Sequence, residues 1–290
     1  MNRETFSHIN VVKSTANLTN NSYITLEENH AMPEITKYPP GSFCWVELMT
    51  TDQAGAKNFY TKLFNWTFDD SPMGDDTFYT MLKLNGKSVG ALYQRGKQQG
   101  NIPPHWNCYV AVNNVDDAAK KVAGLGGKTI LPPSDVFDVG RMTVIEDPTG
   151  AKLSLWQAKK HTGASVVNEP GSMCWHELGT NNEQAASKFY TQLFGWGTKA
   201  MPITPPYTVF SNSGTDIGGM YALTEQMKSV SPHWLPYFNV ADCDATAQKA
   251  KSLGGNTIIP PTDIPNTGRF SYLQDPYGAV FAVIKLNHKS

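Results

Sequence analysis

The stretch GSFCWVELMTTDQAGAKNFYTKLFNW, Gly41 to Trp66, decides how the rest of the chain is read, because it returns at Gly171 to Trp196 as GSMCWHELGTNNEQAASKFYTQLFGW. Roughly half of the positions are identical, and the apolar positions keep their places. Two copies this close mean that one structural unit was built twice. A candidate functional residue can therefore be checked against its counterpart. A residue present in one copy only cannot be essential to something both copies do.

Within each copy the apolar period changes from two to 3.6. Gly41 to Thr51 alternates as a strand, with Cys44, Val46 and Leu48 on one face and Trp45, Glu47 and Met49 on the other. Asp52 suits the N-cap of a following helix. The apolar residues of that helix, Ala56, Phe59, Tyr60, Leu63 and Phe64, form one continuous stripe. The stripe must cover the more apolar face of the sheet, so Trp45 and Glu47 are expected to point away from the helix.

Downstream, Thr77 to Leu84 and Lys87 to Gln94 read as strands joined by the hairpin turn Asn85-Gly86. A fifth strand starts at His105, and a short helix from Asp116 to Leu125 is stopped by Gly126-Gly127. Strands at Lys128 to Leu131, Arg141 to Glu146 and Lys152 to Gln157 close the first copy, the last two separated by the turn Asp147-Pro148-Thr149-Gly150. The same order recurs after Gly171. The expected organisation is a polar arm over 1–40, a first domain over 41–157, a polar linker over 158–170 and a second domain over 171–286. The arm reads as flexible or loosely docked, with a lid or dimer strap as the alternative.

With 24 basic and 25 acidic residues and no basic stripe, nucleic acid is not an expected partner. The longest apolar runs are strand-sized, well short of the roughly 20 residues of a membrane span. The N-terminus does not read as a secretory signal. The four cysteines lack CxxC spacing, so they are expected as reduced, mostly buried thiols. A soluble, cytoplasmic protein is the expectation, with a homodimer left open.

The order of a strand, a helix ending FYTKLFNW, an [ND]-[VC]-D-[AD]-[AT]…LGG helix, a G-R-[MF] strand and a closing D-P-x-G-A strand resembles the vicinal oxygen chelate superfamily. That superfamily includes glyoxalase, bleomycin-resistance and extradiol-dioxygenase proteins. The resemblance runs from Gly41 to Leu286. It implies an α+β fold of tandem βαβββ modules, paired into two cupped, incomplete barrels around small-molecule sites. Its metal-dependent members place His, Gln or Glu ligands on the first and last strand of each module. Carried onto this sequence, those positions fall on Trp45, near Leu92 to Tyr93, near Asn107 and on Ser154; in the second domain they fall on Trp175, Met220 to Tyr221, Leu235 and Ala282. A divalent cation needs three or four His or carboxylate ligands converging on one point, and Trp, Leu and Ala offer no lone pair. No metal and no cofactor are therefore expected, with a divalent metal in a rearranged site as the alternative.

The residues expected to line the cups are Trp45, Glu47, His105, Tyr109, Arg141 and Trp156, and their partners Trp175, Glu177, His233, Tyr237 and Arg269. Glu47 and Glu177 are candidates for accepting a ligand hydrogen bond or acting as general base; otherwise each is an internal bond that closes the barrel. His105 and His233 are ligand contacts or strand-edge histidines bonded to backbone. Arg141 and Arg269 are anion clamps or partners of a nearby acid such as Glu47 or Asp147. Trp106 and Trp234 are expected on the opposite face, and His176, where the first copy has Val46, reads as a tolerated edge residue. Three functions remain open. The leading one is metal-independent binding of a small aromatic or planar molecule. The others are a glyoxalase- or dioxygenase-type enzyme, and a ligand-free assembly protein whose cups are filled by tryptophan.

Overall fold

The computed structural model describes residues 34–74, 77–203, 205–227 and 229–287. The first domain runs β1 (Phe43–Thr50), α1 (Gln53–Phe64), β2 (Thr67–Gly74), β3 (Thr77–Leu84), β4 (Lys87–Gln94), β5 (His105–Ala111), α2 (Val115–Gly124), β6 (Lys128–Val136), β7 (Gly140–Glu146) and β8 (Lys152–Ala158). The second repeats it as β9 (Met173–Thr180), α3 (Glu183–Phe194), β10 (Gly197–Met201), β11 (Tyr207–Asn212), β12 (Thr215–Ala222), β13 (His233–Asn239), α4 (Cys243–Ser252), β14 (Asn256–Ile264), β15 (Gly268–Gln274) and β16 (Val280–Leu286). The α+β class and the tandem βαβββ modules are as the sequence led one to expect.

Each domain is one eight-stranded sheet, ordered β2-β3-β4-β1-β5-β8-β7-β6 and β10-β11-β12-β9-β13-β16-β15-β14. Within a module the first and last strands pair in parallel, and the two modules join through antiparallel β1–β5 or β9–β13. The local signals act as read. Asp52 accepts from Gly55 N at the start of α1, and Asn85 and Gly86 take the positive φ angles (49° and 79°) that a tight hairpin requires. Strands β2 and β10 escaped the sequence reading. All eight residues of β2, TFDDSPMG, are exposed, so no alternation marks it.

The helices pack domain against domain. Phe59, Tyr60, Phe64 and Trp66 of the first domain share one core with Phe238, Phe281 and Val283 of the second. Phe189, Tyr190 and Trp196 share the other with Val110, Ile145 and Leu155. Burying each of these side chains stabilises by about 1.5–3 kcal/mol, and the stripe of α1 is satisfied jointly by its own sheet, through residues such as Val46, Leu48 and Leu82, and by the other copy. The repeated stretch closes on itself crosswise: Trp66 Nε1 donates to Gly171 O and Trp196 Nε1 to Gly41 O, both at 2.7 Å.

The segment 158–170 is docked on the first domain, and one expectation needs correction. Ala164 and Val166 are fully buried, and Ala164 N and Ser165 N donate to Cys44 O (2.8 Å) and Ser88 O (2.7 Å). Strands β1 and β4 begin to pair only at Glu47 and Ala91, and the segment fills the splay ahead of that point. His176 is not an edge residue. It is buried and stacks flat on Phe43 across the domain boundary, centroids 3.8 Å apart, and burial holds its imidazole down at about 3. Of the arm, residues 34–40 are docked, with Ile35 N donating to Ser165 O and Tyr38 Oη to Ala164 O; the rest lies outside the described residues.

Candidate functional site

The face of each sheet turned away from the helices forms a cup, and strand register decides what lines it. Cross-strand partners share a face, so the pairs Trp45–Tyr109, Glu47–Asn107 and Met49–His105 put all six on the cup side of β1 and β5. Ala91 on β4 stands beside Glu47, and Tyr93 stands opposite Tyr79 on β3. On the far wall Ser154 and Trp156 of β8 face Val144 and Met142 of β7. Trp106 points the other way, donating to Tyr60 Oη at 3.0 Å among the helices.

A buried carboxyl sits at the centre of each cup. Glu47, 9% exposed, accepts from Tyr109 Oη on Oε1 (2.9 Å) and from Tyr79 Oη on Oε2 (2.8 Å). Trp45 Nε1 in turn donates to Tyr79 Oη at 3.3 Å. Glu177, 7% exposed, accepts from Tyr237 Oη at 2.8 Å and from Tyr272 Oη, with Tyr207 as a further hydrogen-bond partner. Trp175 Nε1 donates to Tyr207 Oη at 2.9 Å, matching Trp45. Burial pushes both carboxyls above the ordinary range, and the phenol bonds pull partly back. The same negative charge, added to burial, drives Tyr79, Tyr109, Tyr237 and Tyr272 well up, so these phenols stay protonated. Each cup thus presents hydroxyls that both donate and accept around a carboxyl suited to holding a proton.

The other candidates divide. His105 lies in the cup, but its Nδ1 is 2.8 Å from Pro103 O and its Nε2 3.1 Å from Asn107 Oδ1. His233 Nδ1 is 2.8 Å from Ser231 O, and burial lowers its pKa. Both histidines are half-buried strand-start residues tied to backbone. The arginines, expected in the cup, are not there. Arg141 alternates with Thr143 and Ile145 on the helix side, where its guanidinium grips Asp116 in the first turn of α2 (2.8 and 2.9 Å) and reaches Asp135. Arg269 grips Asp244 and Asp263 in the same way. Their partners are therefore neither Glu47 nor Asp147. Tyr79, Tyr207 and Tyr272 were missed by the sequence reading as cup residues, and Tyr93 and Tyr221 were named only as part of expected cation positions. Comparing the two copies strand by strand would have paired Tyr79 with Tyr207 and Tyr93 with Tyr221.

At the four positions where metal-dependent relatives are expected to hold a cation, the first cup offers Trp45, Tyr93, Asn107 and Ser154, and the second Trp175, Tyr221, Leu235 and Ala282. That donor set does not fit a divalent metal. Among the described residues no group of three or more His, Cys, Asp or Glu is placed to hold one. Two surface hollows, of about 210 Å³ beside Trp156 and Tyr38 and about 370 Å³ beside Asp52 and Lys57, lie away from Glu47 and Glu177. No helix among the described residues is long and apolar enough to cross a membrane.

The family model described as "Glyoxalase/Bleomycin resistance protein/Dioxygenase superfamily" matches residues 42–155 and again 175–283. Over 259 residues the chain is 44% identical to the "Putative glyoxylase CFP32" of Mycobacterium bovis, covering 88% of this chain and 98% of that protein. Over 270 residues it is 36% identical to the "Anthracycline biosynthesis protein DauV" of Streptomyces sp. (strain C5), covering 87% and 96%. Among solved structures, the Mn(II)-bound glyoxalase from Novosphingobium aromaticivorans superposes with a TM-score of 0.61 at 16% identity, covering 85% of this chain and 82% of that one. The 2,3-dioxygenase LapB from Pseudomonas sp. KL28 superposes with a TM-score of 0.58 at 14% identity, covering 89% and 94%. These two likenesses establish the fold.

Proposed function

Because the chain belongs to the glyoxalase/bleomycin resistance protein/dioxygenase superfamily, we propose that it binds a small planar molecule in an aromatic cup, through a phenol-ringed carboxyl and without a metal. The carrying observation is the substitution at the centre of both cups. Indole, phenol, amide, leucine and small side chains stand at the expected cation positions, and a buried glutamate two residues along the first strand is held by tyrosines. Such a site favours a neutral, flat partner with its own hydroxyl or carbonyl groups, stacked on aromatic walls and exchanging hydrogen bonds with phenols. The relatives named for anthracycline biosynthesis suggest a hydroxylated polycyclic aromatic as the first compound to try.

The test is titration with 1,4-dihydroxyanthraquinone, alongside elemental analysis of the purified protein. The expected outcome is saturable binding, weakened about tenfold or more by Glu177→Gln with Glu47→Gln, as befits loss of a hydrogen bond to a buried carboxyl. A stoichiometric transition metal gripped by protein side chains would overturn the reading, as would absence of binding.

A second reading is a lyase or dioxygenase of the same superfamily with a rearranged site, in which the glutamate carries a proton. The raised pKa of Glu47 and Glu177 favours it, since an acid–base group works best when it titrates near the operating pH. Turnover of a dicarbonyl adduct or a catechol by the wild type, surviving intact in the double glutamine variant, would eliminate that role.

A further inference from the structure

We infer that the first cup is filled by a side chain of this protein, His161, and that the second cup takes in its place a flat nitrogen-heteroaromatic molecule from solution, seated edge-on against Trp175. The inference rests on the binding reading above and narrows it to one cup and one ligand class.

The two cups are built alike at their tryptophans. Trp45 and Trp175 hold equivalent places on β1 and β9, and each ties its indole N–H to the phenol of the equivalent tyrosine, Tyr79 or Tyr207. What stands against the two indoles differs. The His161 imidazole meets Trp45 edge-on, centroids 4.6 Å apart at 84°, and also reaches Trp156 at 5.9 Å. Such edge-to-face contacts are favourable by about 0.5–1.5 kcal/mol beyond burial. Trp45 is consequently 3% exposed, and its neighbour Cys44 is fully buried. Trp175 and Cys174 are only half-buried, and although Trp175 borders the cluster of Leu235, Tyr237, Tyr272, Ala282 and Ile284, no ring among the described residues meets it edge-on as His161 meets Trp45.

His161 is fastened by its backbone rather than by its ring. Its N–H donates to Val139 O at 3.0 Å, and its carbonyl accepts from Trp156 Nε1 at 2.9 Å. Three residues on, Ala164 and Ser165 are bonded to β1 and β4, and Tyr38 Oη donates to Ala164 O at 2.7 Å. The ring Nε2 is buried without a hydrogen-bond partner. The imidazole is therefore held as a flat body against two tryptophans, as a small heteroaromatic ligand would be.

The floor of the second cup is lined by other residues and is buried, Ala282 being 0% and Ile284 4% exposed. Gly179 stands where the first cup has Met49, Ile284 where it has Trp156, and Ala282 where it has Ser154. Phe270 and Tyr272 replace Met142 and Val144 on the opposite wall, so the second cup keeps an aromatic slot: Phe270 lies 5.7 Å from Tyr272 and 6.4 Å from Tyr237. A flat ring entering beside Trp175 would find aromatic surface on both sides and the Glu177 phenol cluster at its edge.

The probe is 4-phenylimidazole, titrated calorimetrically into the full chain and soaked into crystals. The expected result is one equivalent per chain, with density beside Trp175 alone. Trp175→Ala should weaken binding by about tenfold, the loss of one aromatic contact plus its burial, and His161→Gly should raise the count to two. Two equivalents in the wild type, density beside Trp45 alone, or another stretch of this chain seated on Trp175 would each overturn the inference. The wild-type soak stands whether or not the variants fold. If 4-phenylimidazole fails while 1,4-dihydroxyanthraquinone binds, the inference falls and the broader reading survives. If neither binds, both fall.

Discussion

Tyr60 in the first domain donates its hydroxyl to Asp275 Oδ2 in the second at 3.1 Å, and Tyr190 in the second donates to Asp147 Oδ2 in the first at 2.9 Å. Each phenol oxygen also accepts an indole N–H, from Trp106 (3.0 Å) or Trp234 (2.8 Å). The two aspartates meanwhile organise the turns before the closing strands by accepting backbone N–H groups, Ala151 onto Asp147 and Ala279 onto Asp275. The helix of each domain is thus bonded to the last turn of the other.

Removing either hydroxyl leaves a buried indole N–H without its acceptor and a carboxylate short of a donor. Tyr60→Phe and Tyr190→Phe are each expected to cost about 1–3 kcal/mol. Because the cores cross the domain boundary, urea denaturation of the wild type should show one cooperative transition, read identically by fluorescence and circular dichroism. Two separated transitions would contradict the shared core.

The glutamates set a pH dependence whose sign is fixed. Burial raises both carboxyls above their ordinary value, so the folded state binds more protons than the unfolded one as these groups titrate. Their contribution is intact below the ordinary carboxylate range and is lost as pH rises through the raised values. Glu47→Gln with Glu177→Gln removes it. The stability of the wild type relative to this variant should therefore fall as pH rises above the ordinary carboxylate range of about 4. A difference that is flat or rises with pH would show the carboxyls to be ordinary.

Gly163 holds φ at +126°, and a Cβ there would lie 2.4 Å from Cys44 O. Gly163→Ala should destabilise by more than about 1 kcal/mol, through the strained backbone and the clash together. Faster hydrogen exchange at Ala164 and Ser165 would show that the strap behind His161 has lifted; unchanged exchange would mean that it yields without detaching.

Arg141 and Arg269 face the helices and grip surface aspartates. Arg141→Ala and Arg269→Ala should leave affinity for 1,4-dihydroxyanthraquinone unchanged. A marked loss would place a guanidinium in the site after all.

Alternation along β1 was enough to send Trp45 and Glu47 to one face and Cys44, Val46 and Leu48 to the other, because one face had to meet the stripe of α1. It could not say that Glu47 would be met by Tyr79, a residue 32 positions away brought in by pairing through β4. Nor could it seat Arg141, since Asp116, Asp135, Asp147 and Glu47 were all acids within conceivable reach. His161 gave no signal at all: it lies in a stretch whose composition reads as linker.

The chain's own pattern determined that one βαβββ pair is built twice and which faces its strands bury. These are properties of local period and of residue type, written into neighbouring positions. Tertiary structure alone decided that the helices share their cores with the other copy, that tyrosines surround each glutamate, and that a histidine lies against Trp45. Each of these depends on contacts between segments far apart in the chain, where several partners of the right chemistry compete and only the packed geometry selects among them.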